Sequence, residues 1–278
     1  MPVLARRRRL RKEPREARPR TLLSNPAARM SAAIDAFAPA LPAPVAFDGL
    51  PTARLARMAE AGQRLIDMAR ILAKTGDSIV GEVTRDCGPL HPYAHYPEGD
   101  VVDSETGAQF FYHLHPVPPL AGGQAAEPGL NGHFHCFAPA PAQRTPACLR
   151  RGSGLAHLVA VEVDRHALPV RLFTTNRWVT DETWVEAPAA ARLVDRFVVE
   201  VARPSLSAAI WISALVRLFQ PQIAALLAAR DAAIARLARL RPDIDPFEDE
   251  RLEVPSAMPI SVEAQLAELR AALALRQA

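Results

Sequence analysis

An α+β fold, with a small antiparallel sheet over about residues 79–175 flanked by N- and C-terminal helices, is what this sequence predicts. Three observations carry it. An apolar stripe at helical spacing covers Thr52–Thr75, short β-like runs with turns between them fill residues 78–184, and helical periodicity returns from Ala187 onward. The 278 residues suit one medium domain with helical additions, and 49% apolar against 23% charged residues is globular composition.

In chain order, residues 1–50 read as a disordered extension, first Arg-rich and then Pro/Ala-rich. Residues 1–30 hold nine Arg and Lys12 against Glu13 and Glu16, a charge of +8, whereas the whole chain carries only +3. The rest is therefore acidic, and the basicity belongs to an arm instead of to a folded nucleic-acid surface. Nucleic acid is an unfavoured partner on this reading. Met30 followed by Ser31 is an alternative start. Lys12-Glu13-Pro14 stands where an export signal needs an apolar run, and no window of 18 uninterrupted apolar residues exists. The expectation is a cytoplasmic chain with no membrane partner. Three cysteines without CxxC spacing argue against a disulfide scaffold or zinc ribbon.

Residues 51–241 read as the single α+β domain. Leu55, Met58, Leu65, Ile66, Ala69 and Leu72 make the stripe of its first helix, with Thr52 as cap and Gly76 as stop. Candidate strands are Ile79–Arg85, Gln109–His115, Gly132–Ala138, Ala156–Asp164 and Val170–Thr175, the last two forming a hairpin. The Pro- and Gly-rich stretch 116–131 is a long loop. Ala187–Val201 and Leu206–Leu240 are helical, the second broken by Pro221. Residues 242–260 read as an acidic, Pro-rich linker and 261–278 as a C-terminal helix opening near a capping box at Ser261. The C-terminal helices could serve a homo-oligomer interface.

All eight histidines fall between positions 91 and 166. Two pairs, His113/His115 and His133/His135, have i, i+2 spacing, which on a strand puts both imidazoles on one face. An antiparallel register with paired numbers summing to 248 sets Phe111 against Phe137, His113 against His135 and His115 against His133. The four imidazoles then form a square. The reverse face carries Phe110, Tyr112, Leu114, Phe134, Cys136 and Ala138, which is core. Neutral imidazoles packed together suit a divalent transition metal, zinc or iron first, with three ligands and an open position as the usual catalytic arrangement. His95, Asp100 and Asp103 are alternates or acid/base groups, and His157 and His166 read as structural. Asn176, Arg177 and Trp178, polar and aromatic after a strand, read as a binding loop for an unidentified small molecule. The function expected is metal binding, in a mononuclear metalloenzyme of hydrolytic or oxygen-dependent type. The alternative is a non-enzymatic ligand-binding or protein-interaction module with structural histidines.

The segments His95–Val101, Phe111–Pro116, Gly132–His135 and Leu172–Thr180 together resemble a bacterial family defined as a domain of unknown function, over about residues 55–240. The resemblance implies no activity. Family members carry an acidic residue just before the GHFH motif, where this chain has Asn131, with Glu127 further back. A Gly six residues before His113 is a partial likeness to cupins, but the glutamate expected after HxH and the second cupin motif are both missing.

Overall fold

The computed structural model describes residues 37–115, 132–141 and 152–277. The arginine arm and the loop 116–131, with Glu127 and Asn131, lie outside the described residues. A six-stranded antiparallel sheet runs in the order β1 (Tyr96–Val102), β2 (Gln109–Leu114), β3 (Gly132–Pro139), β4 (Leu155–Val163), β5 (Pro169–Thr174) and β6 (Ser256–Pro259). Seven helices are present among the described residues: α1 (Thr52–Ala73), α2 (Ile79–Thr84), α3 (Arg177–Thr180), α4 (Ala187–Val194), α5 (Leu206–Leu218), α6 (Gln220–Leu240) and α7 (Val262–Leu275). The fold is α+β, with helices before and after the sheet as the sequence predicts.

One face of the sheet is dry. Phe110, Tyr112, Leu114, Phe134, Cys136, Val159, Val161 and Leu172 join α1, α5 and α6 in one buried cluster, with the Phe134 ring 5.3 Å from Trp211 of α5. Gly62 of α1 lets three helices approach, since a Cβ there would sit 3.2 Å from Leu218 and 3.3 Å from Leu266 of α7. Ser205 and Ser261 cap α5 and α7 by accepting the amides of Ala208 and Ala264. Helices α5 and α6 meet at 71° around Phe219 and Pro221, and no single described helix is long and apolar enough to cross a membrane.

Several expectations are corrected. Ile79–Thr84 is a helix and not a strand: its β-branched run is overruled by Ser78, whose hydroxyl accepts the Gly81 amide. The cap of α1 is Pro51, Thr52 being the first helical residue. The stretch read as an extension is partly docked, with Ala40 bridging Ser256, Phe47 buried and Arg276 donating to the Phe47 and Asp48 carbonyls. The segment read as a linker supplies β6 and so completes the sheet. Strand β1 also joins the set; its register shifts between Tyr96 and Val101, where Gly99 and Asp100 take left-handed φ of 84° and 59°.

The β2–β3 register is offset by two residues from the expected one. Phe111 faces His135 and His113 faces His133, leaving His115 beyond the ladder. Because side chains alternate with period two, an even slip keeps every imidazole on its expected face. The observed register lays the Tyr112 ring over Gly132, where an added Cβ would lie 2.1 Å from the Tyr112 hydroxyl and 2.3 Å from Cζ. Gly132→Ala is therefore expected to destabilise the chain by about 1–3 kcal/mol through overpacking, a loss readable as a lowered urea midpoint.

Candidate metal centre

The face of the sheet opposite the core carries the histidines. Two rungs cross the strands: His113, His133, Glu162 and Arg171 on one, and Phe111, His135, Ala160, Phe173 and Ala257 on the next. His113 Nε2 lies 2.7 Å from His133 Nε2, which lies 2.9 Å from His135 Nε2. Donor nitrogens of His113, His115 and His133 all fall within 4.8 Å of one another. His113 and His133 belong to both groupings. The rings of His113 and His115, and of His115 and His133, are each 4.9 Å apart. Alongside lies a cavity of about 230 Å³ bordered by these four histidines, Glu162, Arg171, Phe173 and Glu253.

The line of imidazoles extends inward. His135 Nδ1 is 2.9 Å from His157 Nε2, and His157 Nδ1 is 3.1 Å from the Thr175 hydroxyl. His157, read from the sequence as structural, is fully buried in this network. Strand alternation from Glu162 and Ala160 would point residue 158 toward the site. A bulge intervenes, since Cys136 pairs with Val159 but the next residue, Phe137, pairs with His157. That extra residue turns His157 onto the histidine face. Its amide donates to the buried Glu182 carboxylate at 2.9 Å.

Burial favours the neutral form of His113, His133, His135 and His157. Desolvation, helped by neighbouring His115 and His95, pushes His113 down to about 4. The same cause takes His133 to about 2 and His157 to about 3, and His135 well below the ordinary histidine range. Neutral imidazole is the form that ligates metal. Burial raises Glu182 to about 7 against the pull of Arg230.

Hydrogen bonding alone leaves this cluster ill served. His133 Nε2 faces two other Nε2 atoms, yet a ring nitrogen carries either one proton or one lone pair. A cation drawing on the lone pairs would resolve the conflict. It would also fix the tautomers beyond, with His135 Nδ1–H donating to His157 and His157 Nδ1–H to Thr175, the outer-shell pattern that orients a ligating histidine. The residues present thus fit a transition ion.

His95 sits at the edge of the cluster. Its Nδ1 is 2.9 Å from Asp100 Oδ1, its ring stacks 3.6 Å from Phe111, and the His113 ring is 6.2 Å away. The left-handed turn at Gly99 and Asp100 brings that carboxylate back to His95. Asp103 is elsewhere: its carboxylate accepts the amides of Glu105, Thr106 and Glu200, which lowers its pKa and makes it a turn-binding residue.

Residues 59–260 match the family DUF6969, a domain of unknown function. The chain belongs to that family. No curated protein and no solved structure matches it.

In this DUF6969 chain, Asn176, Arg177 and Trp178 turn toward their own polypeptide. Asn176 Nδ2 donates to the Pro246 carbonyl, Trp178 Nε1 to the Leu252 carbonyl, and Arg177 to Glu248 and Asp245 at 2.9 and 3.1 Å, with its guanidinium 4.7 Å over Phe247. They clasp the segment that brings Glu253 and Val254 to the cavity, so they shape the site without lining it. Arg177 is 4% exposed. Arg177→Leu is expected to cost about 1.5–3 kcal/mol, the range for hydrogen bonds to charged groups, and to speed proteolysis within residues 245–255.

A larger cavity of about 700 Å³ lies between α1 and the β4–β5 turn, walled by Leu65, Ile66, Leu168 and Trp211. The only metal-competent group of side chains among the described residues lies in the smaller one, so donor chemistry and not volume singles out the candidate centre.

Proposed function

We propose that this protein binds one divalent transition metal, zinc or iron, and works as a mononuclear metalloenzyme. The observation that carries this reading is the convergence of imidazole nitrogens on His113 and His133, flanked by His115 and His135. These four offer one donor more than a catalytic centre with an open position requires. A bound ion would supply Lewis acidity at that position. Asp100 holds the His95 Nδ1 proton, which leaves Nε2 able to take or give a proton, and the stack on Phe111 fixes the ring plane. Phe111, Phe137 and Phe173, all nearly buried, keep water from the inner side of the histidines. His157 and Thr175 orient His135.

Titration of metal-free protein with Co²⁺ tests the reading. One equivalent per chain should bind and develop visible bands of a nitrogen-rich site. His157→Asn should weaken binding about 10–100-fold, the usual cost of losing an outer-shell partner. A folded chain that takes up no cobalt, zinc or iron sinks the proposal and makes the histidines a structural network.

A further inference from the structure

We propose that the cavity beside the histidines takes a small carboxylate, with the bound cation at one end and the Arg171 guanidinium at the other; this rests on the metal site proposed above. Sheet register sets the arrangement. His133, Glu162 and Arg171 are cross-strand neighbours on β3, β4 and β5, so Arg171 stands two strands from the cluster, at about 4.7–4.9 Å per strand. Its guanidinium lies 5.0 Å over the Phe173 ring, which in turn meets the His133 ring edge-on at 4.9 Å. One phenyl ring therefore separates the cation of Arg171 from the metal-binding imidazoles and holds its plane.

Arg171 is only partly engaged. Its Nη1 is 3.3 Å from Glu162 Oε2, longer than a charge-assisted hydrogen bond, and its Nε is buried without a partner. The planar fork remains suited to a carboxylate, which it binds in bidentate fashion. Charge favours the same class. Imidazole ligands cancel none of a divalent ion's charge, and Arg171 adds to it. Glu162 and the exposed Glu253 together leave the cavity positive by one. At about 230 Å³ the space falls below the range of drug-sized sites, so the ligand is small. Glu162 is then the internal competitor for Arg171, which an incoming carboxylate displaces.

The test uses cobalt-loaded protein titrated with malonate, followed by visible absorption and calorimetry. Wild type should bind one malonate per chain with a change in the cobalt bands. Arg171→Met should weaken malonate about tenfold or more while the variant still takes up one cobalt per chain, and Glu162→Gln should tighten malonate. Malonate binding that ignores Arg171→Met, or no saturable binding to the loaded wild type, overturns the proposal. If the chain binds no cobalt, the metal reading fails separately. Calorimetry of the metal-free protein then decides the anchor alone: binding lost in Arg171→Met supports it, and no binding overturns it.

Discussion

Replacing His113 and His133 together by alanine is expected to give a chain that folds and holds no metal. These are the two imidazoles common to both groupings of donors, so removing them leaves His115 and His135 without their shared neighbours. The loss should exceed the 10–100-fold that outer-shell changes cost. Folding should survive because the dry core, built on Phe110, Tyr112, Phe134 and Leu172, lies on the other face of the sheet. Removing the buried His133 and half-buried His113 imidazoles also removes polar groups that need partners. Elemental analysis beside circular dichroism checks both halves. Full metal retention in the folded double variant would contradict the assignment.

Acid should unfold the metal-free protein unusually early. The unfolded-state histidine pKa is about 6.5, whereas burial holds His133 at about 2, His157 at about 3 and His135 far down in the folded chain. Folded values below unfolded ones mean that the unfolded chain binds more protons as pH drops below 6.5. Stability is therefore full above that pH and falls with acid, each group contributing about 1.4 kcal/mol per pH unit. His113, held at about 4, adds a fourth such group, and Glu182, raised to about 7 in the folded chain, offsets one; the net three give about 4 kcal/mol per unit, which consumes a typical domain stability within about one to four units. The unfolding temperature should drop steeply between pH 6.5 and 5, and the slope should correspond to about three protons taken up on unfolding. A flat profile from pH 7 to 5 would contradict neutral buried imidazoles. Bound metal should sharpen the same trend, since its ligands must be deprotonated.

Much of the centre was legible because a strand repeats every two residues. The HxH spacing alone put His113, His115, His133 and His135 on one face, and a register wrong by two could not disturb that. His157 was not legible. It reaches the site through a bulge, and a bulge inverts the parity on which such readings depend. Ile79–Thr84 misled because a short apolar run fits a strand or a buried helix turn equally, and a Ser78 cap decided it. Strand β6 was hidden in Ser256–Pro259, four residues with a proline at the end and no alternation; it pairs only because β5 offers an edge. Asn176, Arg177 and Trp178 have the composition of a binding loop, but the partner they hold is the segment 245–252, which sequence distance concealed.

X-ray absorption at the metal edge of the protein as purified reads out whether the histidine cluster holds an ion. One zinc or iron per chain is expected, held by at least three imidazole nitrogens, at about 2.0–2.1 Å for zinc. A chain without metal that refuses added ion, or an ion surrounded only by oxygen, would contradict it.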